Sequence, residues 1–227
     1  MTQALGFFIT GTDTDVGKTY VSCALLQAAT AYGLTTAAVK PLAAGGIKTK
    51  DGLQNEDALL LQKNCSLSLS YQEVNPLCLE QAIAPHIAAQ QAGISLQAGL
   101  LAEHCRSVLE KGADLTLIEG AGGWLVPLND REFVGNIVSA LNIPVILVVG
   151  MRLGCLNHAL LTVRALQSDG VRLHGWNANQ LDPHMPAYHE NLNTLQSMIE
   201  APLLAVLPWN PDGADGALNP GNIFFGE

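Results

Sequence analysis

Six short apolar runs recur along the chain, at Leu5 to Ile9, Thr36 to Val39, Leu115 to Ile118, Pro144 to Val149, Leu173 to Ala178 and Leu203 to Leu207. Each is continuous rather than alternating, the pattern of a strand buried on both faces. Helical spacing fills the intervals, over Lys18 to Tyr32, Glu56 to Lys63, Leu96 to Lys111, Phe133 to Leu141, Leu156 to Ser168 and Tyr188 to Ile199. Ser95 is a candidate N-cap for the third of these, and Gly33, Gly112 and Gly170 are candidate C-terminal stops. Strand and helix alternate almost throughout, which predicts an α/β fold: a mainly parallel sheet flanked by helices on both faces and joined by right-handed crossovers. No repeat, low-complexity tract or long linker divides residues 1–227, which read as one domain, with residues 210–227 as an irregular tail rich in Gly, Pro, Asp and Asn.

Ligands of such sheets gather at the carboxyl ends of the strands, so polar residues that follow strands carry the chemistry. After the first run comes Gly11-Thr12-Asp13-Thr14-Asp15-Val16-Gly17-Lys18-Thr19, directly before a helical stretch. Strand, glycine-bounded loop and helix start form the setting of a phosphate-binding loop, in which backbone N–H groups and the positive helix end wrap an anion. Lys18 then reaches the outer phosphates and Thr19 offers its hydroxyl to a magnesium ion. The Walker A spacing has four residues between its glycines; here five separate Gly11 from Gly17, so this is a deviant loop of the P-loop NTPase class.

Composition narrows the field. At 227 residues and 48% hydrophobic content the chain is able to bury a sheet between two helical layers. The formal net charge of -9, with 11 basic residues spread thinly, gives no footprint for nucleic acid or an anionic membrane. No apolar run is long enough to span a bilayer and the N-terminus lacks the layout of a signal peptide, so a soluble, cytoplasmic protein is expected. The five cysteines, Cys23, Cys65, Cys78, Cys105 and Cys155, form no C-x-x-C pair and read as reduced thiols; the scattered histidines form no zinc pattern.

Three further residues follow from position. Glu119 ends an apolar strand before Gly120-Ala121-Gly122-Gly123, the way a Walker B carboxylate is delivered to a sheet edge. A solvated strand-end glutamate fits the same pattern, but the glycines favour close approach to a ligand and hence a magnesium role. Asp57, in the first turn of a helix, has the ordinary task of complementing the dipole, and with Thr19 and Glu119 it supplies a third oxygen to magnesium. Lys40 closes the second strand before Pro41; it is a surface lysine or a charge that stabilises a transition state beside the phosphate loop.

The phosphate loop, Lys40-Pro41 with its small-residue loop, Asn55 to Leu59, Glu119 to Trp124, Gly154-Cys155-Leu156-Asn157-His158, Gly175-Trp176 with Asn179, and Pro208-Trp209 occur in that order over nearly the whole chain. Together they resemble dethiobiotin synthetase. The resemblance implies an ATP- and Mg2+-dependent ligase that carboxylates 7,8-diaminononanoate with carbon dioxide or bicarbonate and closes a cyclic urea, through an N-carbamate and a carbamic-phosphoric anhydride. By position, it implies that Lys18, Lys40 and Thr14 serve catalysis and that Thr19, Asp57 and Glu119 hold the metal. It implies that Asp15, Val16, Gly17, Lys18, Thr19, Tyr20, Asp57, Glu119, Gly120, Ala121 and Gly122 surround the nucleotide. Asn179, Gln180, Pro208, Trp209, Asn210 and Asp215 complete that set around the adenine. It places Thr14, Lys40 and Ala44 on the diamine, and implies a homodimer in which Gly154, Cys155, Leu156 and Asn157 hold the diamine carboxylate of the partner's site. A glycine-led helix start suits an anion on physical grounds as well.

The chain departs from the family pattern at Ala44, where serine is common, at Gln180, where aspartate is common, and at Asn191, which aligns with a tyrosine while Tyr188 stands about one turn away. These touch the substrate more than the ATP chemistry and leave open a divergent paralogue of altered substrate or low activity. A nucleotide-switched partitioning ATPase shares the deviant loop, but places a second lysine early in it, where this chain has Asp13. An amide-forming relative of the same lineage needs a glutaminase domain with a nucleophilic cysteine, for which the chain is too short.

Overall fold

The computed structural model describes residues 4–210, 218 and 221–225. In chain order the elements are β1 (Leu5–Gly11), α1 (Lys18–Ala31), β2 (Thr36–Val39), β3 (Leu42–Ala44), β4 (Ile47–Thr49), β5 (Gly52–Gln54), α2 (Glu56–Asn64), α3 (Tyr71–Val74) and β6 (Leu77–Leu79). They continue with α4 (Pro85–Gln91), α5 (Ala98–Leu109), β7 (Leu115–Gly123), α6 (Gly135–Leu141), β8 (Val145–Met151), α7 (Cys155–Ser168), β9 (Leu173–Gln180), α8 (Tyr188–Met198) and β10 (Leu203–Leu207).

Six strands form one sheet in the order β10-β9-β8-β1-β7-β2, every pair parallel. All six apolar runs of the sequence are its strands. The crossover from β1 to β2 runs toward one edge, and the four later crossovers run toward the other. Right-handed connections therefore place α1 on one face and α5 to α8 on the opposite one. Phe8, Ile9, Leu25, Leu117, Ile118 and Trp176 are fully buried between the layers, each such side chain contributing about 1.5–3 kcal/mol through apolar burial. The face that carries Phe7 is also covered by the turn Gly221–Phe225: Phe7 meets His174 at 4.6 Å and Phe224 at 5.6 Å between ring centroids. His174 Nε2 and the Ile223 carbonyl are hydrogen-bonded at 2.7 Å.

Helix ends follow local chemistry. Gly33, Gly112 and Gly170 adopt positive φ just past α1, α5 and α7, as the stop signals require. Ser95 does not cap α5: the helix starts at Ala98 with Gln97 as cap. A carboxylate distant in sequence does the work, since Ala98 N–H donates to Glu132 Oε2 at 3.2 Å, and so the start of the helix shifts from its local signal.

Between β2 and α5 lies an excursion that the apolar pattern missed apart from α2. β3 pairs parallel with β6, β4 pairs antiparallel with β5, and α3 and α4 are short. Its strands have three residues each, too few to show periodicity. Among the described residues no helix is long and apolar enough to cross a membrane.

One close approach fixes the sheet edge. A Cβ on Gly175 in β9 would stand 2.5 Å from the Leu204 side chain and 2.8 Å from the Pro202 carbonyl. Gly175→Ala is expected to cost about 1–3 kcal/mol and lower Tm by roughly 2–12 °C. Thermal denaturation checks this, and an unchanged Tm would show that β10 yields without cost.

Candidate active site

The crossovers diverge between β1 and β8, the topological switch point at which ligands bind in sheets of this kind. A cavity of about 1290 Å³ opens beside it at the carboxyl ends of β1, β2 and β7. Thr14, Asp15, Gly17, Lys18, Thr19 and Tyr20 line it from the phosphate loop and the start of α1, together with Lys40, Ala44, Asp57, Glu119, Ala121 and Gly122.

Glu119 is the centre of the polar network. Its side chain is 1% exposed, and both oxygens are satisfied. Oε1 accepts from Lys40 Nζ at 2.7 Å and from Thr19 Oγ1 at 2.7 Å, while Oε2 accepts from Ser22 Oγ at 2.9 Å. Lys40 Nζ also lies 3.1 Å from Asp57 Oδ2. Burial pushes the Lys40 pKa down, but the Glu119 and Asp57 carboxylates outweigh it and hold the ammonium above the usual lysine range. Burial likewise opposes charge on Asp57, and Lys40, joined by the Thr19 hydroxyl, holds its carboxyl below the usual range. Asp57 and Lys40 therefore stand as a carboxylate and a cation rather than as neutral forms.

Local structure sets each of them. Asn55 caps α2 by accepting from Ala58 N–H at 3.3 Å, which presents Asp57 in the first turn. The same Asn55 donates through Nδ2 to the Ala44 carbonyl at 3.2 Å, joining the end of β3 to that cap. Lys40 N–H donates to the Val74 carbonyl at 2.7 Å, and its carbonyl accepts from Asn75 Nδ2 at 2.6 Å. Tyr71 links the two asparagines, accepting from Asn55 N–H at 2.7 Å and donating to Asn75 Oδ1 at 2.8 Å.

The phosphate loop is cradled from below. Gly17 has φ of 83° and no room for a side chain, because a Cβ there would strike the Asn179 amide. Asn179 Nδ2 donates to the Val16 carbonyl at 2.9 Å, so the end of β9 clamps the loop. Lys18 Nζ donates to the Asp13 carbonyl at 3.2 Å. Burial first, and then the Lys40 charge, lower its pKa to about 8.

Other expected residues stand apart. Gly120 faces the core, where a Cβ would meet the Phe8 ring at 2.9 Å, so the close approach is to packing rather than to a ligand. Gly122 brings the glycine turn to Thr14, whose Oγ1 would stand 3.4 Å from an added Cβ. Gln180 accepts from Trp209 N–H at 3.2 Å, which gathers Asn179, Gln180, Pro208, Trp209 and Asn210 on the far side of the loop from Asp57 and Glu119. Asp215 lies outside the described residues. Gly154, with φ of 98°, opens α7 without a side-chain cap, and Gly154 to Asn157 do not line this chain's own cavity.

Four participants were not found from the sequence: Ser22, Tyr71, Asn75, and Arg152, whose guanidinium donates to Asp13 Oδ2 at 2.6 Å. Ser22 stands one helical turn after Thr19 on the same face of α1, a spacing that could have identified it. Asn75 and Arg152 had no local signal, since their partners lie 35 and 139 residues away.

Thr19 Oγ1, Asp57 and Glu119 form an oxygen-only donor set of the kind magnesium takes, one or two carboxylates with phosphates and water filling the rest. It is not a self-sufficient cage: among the described residues no cluster of three or more His, Cys, Asp or Glu is placed to hold a metal. The set therefore fits a metal that arrives with a phosphate ligand.

A family model described as an AAA domain matches residues 5–215. The chain is 57% identical over 202 residues to the ATP-dependent dethiobiotin synthetase BioD of Cellvibrio japonicus, covering 89% of this chain and 88% of that protein. It is 51% identical over 212 residues to the protein of that name from Pseudomonas paraeruginosa, covering 93% of each. It is 48% identical over 211 residues to ATP-dependent dethiobiotin synthetase BioD 1 of Escherichia coli strain K12, covering 92% of this chain and 93% of that one. Among solved structures, the MinD cell division protein of Aquifex aeolicus is similar with a TM-score of 0.56 at 15% identity, covering 96% of this chain and 87% of that one. A ParA family ATPase from Chlorobium tepidum gives 0.51 at 11% identity, covering 98% and 93%. At these identities the structures share the fold alone.

The low pKa of Lys18 has a sign. Its charge is present below about 8 and lost as pH rises through that value, whereas a bound phosphate chain favours the protonated form. ATP affinity is therefore expected to fall by up to about tenfold per pH unit above 8, with proton uptake on binding. Calorimetric titration with ATP alone between pH 7 and 9.5 measures both, and a flat profile would place the Lys18 pKa elsewhere.

Proposed function

The chain belongs to the AAA-domain family and to the dethiobiotin synthetases, ATP-dependent ligases of biotin biosynthesis, and from that membership we propose that its substrate is 7,8-diaminononanoate, carboxylated by carbon dioxide and closed to the cyclic urea dethiobiotin with release of ADP and phosphate. The observation that carries this reading is the meeting of Lys18, Lys40, Thr19, Asp57 and Glu119 around one cavity.

The reaction divides into three bond changes. One amine of the diamine attacks carbon dioxide and loses a proton, giving a carbamate. A carbamate oxygen attacks the γ-phosphorus and ADP departs, giving a mixed carbamic-phosphoric anhydride. The second amine attacks the carbonyl carbon, phosphate departs and the ring closes. A carbamate is a poor electrophile, and phosphorylation turns its oxygen into a leaving group.

In this reading the residues act chiefly by charge and position, on which phosphoryl transfer mostly depends. Lys18 and Lys40 neutralise the carbamate and the transferring phosphoryl group, and Thr14 holds the carbamate from the loop. Thr19, Asp57 and Glu119 would hold magnesium, which supplies charge neutralisation to the terminal phosphates when bound. Asn179, Gln180 and Pro208 to Asn210 frame the adenine. A chain using ATP and keeping its thiols reduced is assigned to the cytoplasm.

We further read the enzyme as a homodimer in which Gly154 to Asn157 hold the diamine carboxylate in the partner's cavity. Their position outside their own cavity supports this, as do the exposed Leu153 beside them, 92% accessible, and the exposed Leu125 at the cavity rim. Mixing Lys40→Ala with Leu156→Asp chains is then expected to restore turnover that neither has alone; a mixture as inactive as its parts would confine each site to one chain.

The central test is turnover. With ATP, magnesium, bicarbonate and the diamine, mass spectrometry is expected to show a cyclic urea formed in step with ADP; ADP release indifferent to the diamine would sink the proposal. Lys40→Ala is expected to lower kcat by a factor on the order of 10²–10³ while ATP still binds. Wild-type turnover in that variant would remove Lys40 from the mechanism.

A further inference from the structure

One ion pair bridges the crevice between β1 and β8. Arg152, in the segment that joins β8 to α7, donates through its guanidinium to Asp13 Oδ2 at 2.6 Å. The other oxygen, Oδ1, accepts from Thr14 N–H at 2.8 Å, and the Asp13 carbonyl accepts from Lys18 Nζ at 3.2 Å. Asp13 thus holds two of the loop residues that line the cavity, Thr14 and Lys18, and Arg152 holds Asp13. From its other side, the Arg152 carbonyl accepts from Cys155 N–H at 2.9 Å, at the first residue of α7.

Stability does not explain this pair. Its side chains are 43% and 44% exposed, and ion pairs so exposed contribute little to folding. Its electrostatic effect on a ligand differs in kind. Asp13 and Asp15 set two negative charges on a loop that must receive a triphosphate, and an uncompensated carboxylate there repels every phosphate oxygen that approaches. Arg152 is a cation with its charge directly on Asp13 and its guanidinium in hydrogen-bonding geometry, which also fixes which oxygen is left for Thr14.

We propose that Arg152 is a positioning residue for the nucleotide, acting through Asp13: by cancelling the Asp13 charge it lets the phosphate loop receive the phosphates of the nucleotide. The proposal rests on the reading that this loop binds the phosphates of a nucleotide and is independent of which diamine is carboxylated.

The test is calorimetric titration of magnesium ADP into the wild type, Arg152→Ala, Arg152→Gln, Arg152→Lys, and the double variant Asp13→Asn with Arg152→Ala. Loss of the cation in Arg152→Ala and Arg152→Gln is expected to weaken ADP binding on the order of tenfold. Arg152→Lys keeps the charge and is expected to recover most of the loss. The double variant is expected to recover it too, because the charge that needed cancelling is gone while the asparagine oxygen still accepts from Thr14. In steady state the change is expected in KM for ATP rather than in kcat, with Tm unchanged in every variant. Unaltered ADP affinity in Arg152→Ala overturns the proposal, as does a loss that Asp13→Asn fails to reverse. A wild-type chain that turns over the diamine but shows this failure leaves the proposed function standing; a wild type that binds no ADP overturns both.

Discussion

A carboxylate enclosed in a parallel sheet cannot be left unanswered, and Glu119 obliges three side chains from two other elements to come to it. Lys40 from the end of β2 and Thr19 and Ser22 from the first turns of α1 satisfy its two oxygens. Removing one partner from a buried pair of this kind strands the other charge, which costs far more than the pair contributes in its intact form. Lys40 in turn depends on Asp57 as well as Glu119 to keep its proton against burial. Its backbone depends on Val74 and Asn75. The excursion between β2 and α5 is thereby bound to the Lys40–Glu119 pair, although its strands have only three residues each. One buried acid thus connects the sheet, the phosphate helix and the irregular segment into a single arrangement.

Much of this was legible in the sequence because the strands are buried on both faces, so that each apolar run names itself without any need for alternation. The phosphate loop was legible because glycine, lysine and threonine fall between a strand and a helix. What escaped has a common physical character: it depends on partners distant along the chain. Ser95 looked like a cap, yet Glu132 supplies the acceptor at the start of α5. Gly120 looked like a glycine cleared for a ligand, but the space beside it is filled by Phe8. Asn75 and Tyr71 are ordinary residues in a segment without periodicity, and only the fold brings them under Lys40. Asp13 was informative as the absence of a lysine, whereas its structural role, accepting from Arg152, Thr14 and Lys18, appears only when β8 is laid beside β1.

The site also divides along the sheet. The acidic and lysine residues stand over β1, β7 and β2, whereas the residues assigned to the base stand over β9 and β10. In the proposed reading, phosphate chemistry and base recognition thus occupy opposite sides of the switch point, with the loop between them as the shared wall.

That shared wall limits how the enzyme is free to change. Asn179, assigned to the base, is the same side chain that holds the Val16 carbonyl and fills the space over Gly17. A substitution that retuned the preference for one purine over another would also release the cradle of the triphosphate. In the proposed reading, nucleotide choice is consequently tied to the support of the phosphate loop, whereas Ala44, on the proposed diamine side, is joined to the rest by a backbone carbonyl rather than by its side chain.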